Sequence, residues 1–245
     1  MTRSLGAAVV VGFVLLSGCN VNMRDAGPAE HMSKSIEIDK AEMSRVEIKI
    51  GVGELKVGGG SSKLMDADFE YAPPTWKPIV RYSATGFRGD LKIEQPSNSG
   101  GGSHVTYKWD VRLNDKLPLD LVAHLGVGEA KMTLGSLNMR SLELNMGVGE
   151  LRVDLRGKPD HDYNVQINGG VGTATVDLPR DVGIVATAHG GIGDISVRGL
   201  EKRNGRWINP ARENAAVTIH IDVKGGIGNI TLNAEWRNAG DLVTC

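Results

Sequence analysis

A Gly-apolar-Gly triplet recurs six times along the chain: Gly51-Val52-Gly53, Gly126-Val127-Gly128, Gly147-Val148-Gly149, Gly170-Val171-Gly172, Gly191-Ile192-Gly193 and Gly226-Ile227-Gly228. The residues around each copy alternate. One, three and five places before the first glycine the columns are apolar or small, as in Ile50, Ile48 and Val46 or Leu125, Ala123 and Leu121. Between them the columns are mostly polar, with Lys49, His124, Asn145, Asn168, His189 and Lys224 two places before it. Four and six places after the first glycine the apolar pattern resumes, as in Leu55 and Val57, Ala130 and Met132, or Leu151 and Val153. Period-two alternation marks a strand with one buried side. Each copy therefore reads as strand, glycine corner, strand. The apolar middle residue is expected to point inward. The flanking glycines permit positive φ and a close backbone approach where a Cβ would clash.

The last five triplets begin 21, 23, 21 and 35 residues apart. A two-strand unit of that length cannot bury its own apolar face, but stacked units can, with strands about 4.8 Å apart. The expected fold is all-β: a right-handed, single-stranded parallel β-helix or solenoid of about 21-residue coils with glycine corners. A sandwich of hairpins is the alternative, but it does not require equivalent residues to recur in columns. A worn copy is placed at Arg88-Gly89-Asp90-Leu91-Lys92-Ile93. Glycine makes up 33 of 245 residues, about twice its usual share of ~7%, and the fixed spacing assigns these residues to corners.

Before the repeats comes a different kind of segment. Arg3 supplies a positive charge, and Leu5 to Leu16 form an apolar stretch too short for a spanning helix of about 20 residues. Leu16-Ser17-Gly18-Cys19 looks like the lipobox of bacterial lipoproteins. That resemblance implies cleavage before Cys19, diacylation of its thiol and membrane anchoring through the lipid. Asn20 in place of an Asp favours the outer membrane if the envelope is Gram-negative. The domain reading is residues 1–18 as lipoprotein signal peptide, 19–35 as flexible tether and 36–118 as an irregular first part of the solenoid. Residues 119–245 are read as regular coils, with an inserted loop at 199–214 and a C-terminal cap that includes Trp236. Cys245, a lone thiol once Cys19 is lipidated, could pair between chains. A frayed terminal residue without a role is the blander reading.

The net charge of -1 removes a simple argument for nucleic-acid binding. The triplets lack the third glycine and the following helix of a dinucleotide site. Glu54, Glu129, Glu150 and Asp194 share one outward column that could gather a hard cation, although Lys131 and Arg152 in the neighbouring column are placed to neutralise them. His124 and His189 share a column but are expected to be too far apart for common metal ligation. Glu150 and Asp194 are the nearest approach to an acid/base carboxylate pair, and no nucleophile elbow or triad can be assigned. Arg88-Gly89-Asp90 matches an integrin-type tripeptide at a worn corner, a match that chance explains. The expectations are accordingly no enzyme, no cofactor and no metal.

Gly51-Val-Gly-Glu-Leu-Lys-Val57, Trp76-Lys-Pro78, Trp109-Asp-Val-Arg-Leu113 followed by Leu117-Pro118-Leu-Asp-Leu121, and the later Gly-Val-Gly-Glu copies together resemble the toast-rack family of bacterial envelope proteins, especially its N-terminal domain of unknown function. The resemblance spans about Ile36 to Leu232. It implies a β-solenoid without known catalytic residues, in a family whose related domains occur in regulators of envelope stress signalling and in adhesins. The expected function is a lipid-anchored cell-envelope protein whose non-catalytic solenoid is a scaffold, interaction or regulatory module. A surface adhesin or self-associating solenoid is the alternative, and a glycan-active enzyme a third. Expected partners are the membrane, through Cys19, and an envelope protein or cell-wall component. A homo-oligomer remains open, and nucleic acid is not expected.

Overall fold

A computed structural model describes residues 27–97 and 105–235. The signal peptide, Cys19, Trp236 and Cys245 lie outside the described residues. Among the described residues the chain is all-β, in one sheet of 15 strands that is not closed. Its first half contains β1 (Glu30–Ile36), β2 (Met43–Ser61), β3 (Met65–Ala72), β4 (Ile79–Thr85), β5 (Arg88–Glu94), β6 (Thr106–Asn114) and β7 (Leu119–Thr133). Its second half contains β8 (Met139–Asp154), β9 (Tyr163–Asp177), β10 (Gly183–His189), β11 (Ile195–Arg198), β12 (Glu201–Arg203), β13 (Arg206–Ile208), β14 (Thr218–Lys224) and β15 (Ile227–Asn233).

The columns read from the sequence are rows in space. Val46 pairs with Leu121, Leu121 with Leu142, Leu142 with Val165, Val165 with Ile221 and Ile221 with Ala186, all in parallel. All six are buried. On the far side of the corner Leu55, Ala130, Leu151 and Ile230 are buried as well. Each rung hides one side of a strand, and the next rung supplies the apolar neighbours it lacks.

The order of the rungs is not the order of the chain. β2 lies between β7 on one side and β5 with β6 on the other. At the opposite end β14 and β15 lie against β9, and β10 and β11 lie outside them. Among the parallel rungs the later segments β5 and β6 thus lie outside β2 at one end, while the later segments β14 and β15 lie inside β10 and β11 at the other; β4, β3 and β1 add antiparallel beyond β5 and β6. Residues 199–214, read as a loop inserted between neighbouring coils, instead hold the β12–β13 hairpin and a 3-10 turn at Pro210–Glu213. The hairpin adds antiparallel to β10, covering its outer edge. The stretch joins two rungs that are neighbours in space, β10 with β11 and β14 with β15, and part of its polar backbone is satisfied by the hairpin pairing.

The placement of the worn copy also needs correction. Arg88 to Glu94 pair with Met43 to Lys49, the arm before a corner rather than the corner itself. β6 supplies the matching second arm against Glu54 to Ser61. The tether reading of 19–35 is cut short too, because β1 starts at Glu30 and pairs antiparallel along β3. Its exposed Ser33 and Ser35 donate to Asp68 and Asp66, so side-chain bonds hold a strand whose polar composition conceals it. Trp76 meets Tyr107 edge to face and Tyr107 meets Trp109 at a tilt of 58°, with ring centroids 5.3–5.4 Å apart, and Phe69 stands edge-on to Trp109.

Candidate functional site: the glycine-corner face

The corner is where the alternation changes phase. Before the triplet the odd-numbered places face the core; after it the even-numbered ones do. Somewhere in the triplet two successive residues must therefore share a side. The structure puts the first glycine and the middle residue both outside. This overturns the expectation that the middle residue points inward: Val52 is 38% exposed, Val127 50%, Val148 46%, Val171 46%, Ile227 51% and Ile192 70%. The second glycine makes the flip, with φ between +132° and +140° at Gly53, Gly128, Gly149, Gly172, Gly193 and Gly228.

The two glycines of each triplet answer to separate demands. A Cβ on Gly126 would stand 2.3 Å from the carbonyl oxygen of Gly51 in the next rung, and one on Gly128 would stand 1.9 Å from that of Gly53. Gly147, Gly170, Gly191 and Gly226 repeat the first contact, and Gly149, Gly172, Gly193 and Gly228 the second. Rungs can approach this closely only where no side chain intervenes.

The six middle residues are in register from Val52 through Val127, Val148, Val171 and Ile227 to Ile192. They make a straight apolar ridge about 24 Å long at ~4.8 Å per rung. Side-chain-free glycines border it on both flanks. Beyond them run two polar columns. The first is Lys49, His124, Asn145, Asn168, Lys224 and His189; the second is Glu54, Glu129, Glu150, Thr173, Asn229 and Asp194. Over four rungs Lys49, His124, Asn145 and Asn168, with Gly51, Gly126, Gly147 and Gly170, line an open groove of about 750 Å³ that Gln95, Pro96 and Ser97 border. Within that column Asn168 donates to Asn145 at 2.9 Å, and Asn145 to Glu143 at 2.9 Å. Lys49 sits 2.6 Å from Glu47; that bond raises the Lys49 pKa and holds the Glu47 carboxyl below its usual range. Lys224 does the same to Asp222 from 2.8 Å.

The other candidates are dispersed. Glu54, Glu129 and Glu150 occupy successive rungs, and Glu150 is met by Arg152 at 3.9 Å. Asp194 is separated from Glu150 by the Thr173 and Asn229 rungs, a span of about 14 Å. His124 and His189 are held apart by Asn145, Asn168 and Lys224. Gly89 is buried inside β5, and Arg88 turns to Asp90 at 3.5 Å, so the tripeptide is not a displayed loop. Sequence reasoning missed the exposed ridge. The parity change across the triplet was its available signal.

Parallel rungs in register, joined through glycine corners that carry an apolar ridge, define an all-β repeat protein. The family model described as the N-terminal domain of toast_rack, DUF2154, matches residues 25–177, and the chain belongs to that family. It is similar over 84% of its length to the whole of a solved structure from Clostridium sporogenes ATCC 15579, described as a "putative cell adhesion protein", with 30% identity and a TM-score of 0.82. A "putative adhesin" from Bacteroides fragilis NCTC 9343 aligns over 83% of this chain and 96% of its own at 8% identity and a TM-score of 0.32, too distant to support any argument. A search of curated proteins finds no match.

Proposed function

We propose that this protein is a lipid-anchored component of the cell envelope whose body is a non-catalytic interaction module, and that the glycine-corner face is its binding surface. The carrying observation is the ridge: six β-branched side chains, 38–70% exposed, aligned in one file. A soluble surface rarely gathers apolar groups contiguously unless something covers them. The right-handed solenoid reading belongs to the same proposal, supported by rung offsets of 21 residues from Leu121 to Leu142 and 23 from Leu142 to Val165. The carboxylates nearest to an acid/base pair, Glu150 and Asp194, lie about 14 Å apart by rung count, beyond the ~5–9.5 Å of glycosidase pairs.

The test is photo-crosslinking in intact cells with a benzophenone amino acid at Val148 and, as a control, at Lys131 on an outward column away from the ridge. Adducts from Val148 and none from Lys131 are expected. An equal yield from both, or none from either, would overturn the assignment of the face. The anchor is tested separately with an alkyne fatty acid, which should label the native chain and not Cys19→Ser.

A second reading, a surface adhesin, is favoured by the description of the Clostridium sporogenes structure. Protease added to intact cells would remove an outward-facing body; full protection would exclude it.

A further inference from the structure

We propose that the occupant of the corner face is a second copy of this chain, docked about a twofold axis parallel to the stack, so that each ridge lies in the other copy's glycine groove. This rests on the reading of the corner face as the binding surface.

The argument is one of self-complementarity. Number the places across a rung from the first glycine. The groove floor is then place 0, the ridge is +1, the polar column that holds Lys49 and His189 is -2, and the one that holds Glu54 and Asp194, with Thr173 and Asn229 among its members, is +3. A twofold axis along the stack, midway between groove floor and ridge, exchanges 0 with +1. The same operation exchanges -2 with +3. One axis therefore seats both ridges in both grooves and also brings the two polar columns face to face. Because rungs keep their level, Lys49 faces Glu54 of the second copy, His124 faces Glu129, Asn145 faces Glu150, and His189 faces Asp194. A side chain able to donate a hydrogen bond meets a carboxylate at each of these levels, and each pairing occurs twice.

The opposite orientation, with the second stack inverted, lays like columns together. Glu54 then opposes Asp194 at one end of the face, a carboxylate pair that the parallel arrangement avoids, so charge selects the parallel arrangement. The near-zero net charge of -1 poses no long-range barrier to self-association. The strip would bury on the order of 1,000 Å² in all, short of the ~1,200–2,000 Å² of stable complexes. The pair is accordingly weak in dilute solution and forms where a common membrane concentrates the copies.

The experiment uses the full chain in its own membrane, with Cys245→Ser as background and single cysteines at Val52, Val148 or Ile192. Mild oxidation should give disulfide-linked homodimers from all three, since every ridge residue meets its own counterpart. Lys131→Cys should give none, and mixed Val52→Cys and Ile192→Cys chains should not pair with each other. On the Val148→Cys background, Glu54→Lys should lower the dimer yield roughly fivefold, the size that two exposed ion pairs can supply, and adding Lys49→Glu should restore it. Pairing of Val52→Cys with Ile192→Cys would overturn the parallel arrangement. Absence of dimers at all three ridge positions, while Val148 still photo-crosslinks to a different protein, would overturn self-docking and leave the binding face intact. Absence of both would sink the two together.

Discussion

The Gly51 amide donates to Oε1 of Gln95 at 2.6 Å, and the Val52 amide shares the same oxygen at 3.2 Å. The Gln95 amide in turn donates to the Lys49 carbonyl at 2.9 Å. Among the described residues the rung outside β2 carries no Gly-apolar-Gly triplet, and the Gln95 side-chain oxygen accepts the bonds that a backbone carbonyl accepts from Gly191 and Ile192. Gln95→Leu removes that acceptor from a partly hydrated corner and should cost about 1 kcal/mol, read as a lower urea midpoint. The Gly51 amide should exchange faster in that variant. Gln95→Glu keeps an acceptor and should exchange like the native chain.

Two glycines two rungs apart should respond in opposite ways to a single added methyl. Gly128→Ala forces a Cβ to 1.9 Å from the Gly53 carbonyl at a φ of +140° and should destabilise by about 3 kcal/mol or more. Gly169→Ala meets its nearest atom, the Lys224 carbonyl, at 3.9 Å. It lies where Ile50, Leu125 and Met146 fill the earlier rungs, beside a cavity of about 30 Å³. Gly169→Ala should stabilise by about 0.4–1 kcal/mol. Paired thermal melts decide both.

The exposed and buried files give a third contrast. Val148→Thr keeps a β-branched side chain on a half-exposed corner and should change stability by less than about 0.5 kcal/mol. Leu144→Ala, two turns of the alternation earlier and 2% exposed, should cost about 2–5 kcal/mol. Comparable losses for both would place the valine in the core after all.

Acid should release β1 before the rungs. Asp66 accepts hydrogen bonds from Ser35 at 2.5 Å and Ser61 at 2.7 Å, and these hold its carboxyl below the ordinary 3.8. A depressed carboxylate contributes stability that is complete above the unfolded value and is lost as pH falls through the folded one. The amides of Ser33 to Ile36 should therefore keep their protection down to about pH 4 and lose it below. Asp66→Asn should flatten that profile.

Much of the rung was legible in the sequence. Val46, Ile48, Leu121, Leu142 and Val153 announce the core because alternation is local and each copy repeats it. The Trp76 and Trp109 landmarks carried the family, and the fold followed. β1 was not legible, since its residues are polar and its partner strand begins about thirty residues away. The hairpin at Glu201 to Ile208 hid for a similar reason: its strands are three residues each, too short to show a period.

What the chain's own letters settle is the inward file and the register between copies, because a strand with one dry side can pair in only one phase without exposing it. They settle equally that glycine must stand at each corner. They leave open on which side of the corner the phase breaks, since both choices satisfy the flanking columns. Only the close approach of carbonyls between rungs turns Val52 and its counterparts to solvent. They also leave open the spatial order of rungs: β2 lies inside β5 and β6, and β14 inside β10, and because every rung repeats the same alternation, other orders would bury the same faces and no local pattern selects among them.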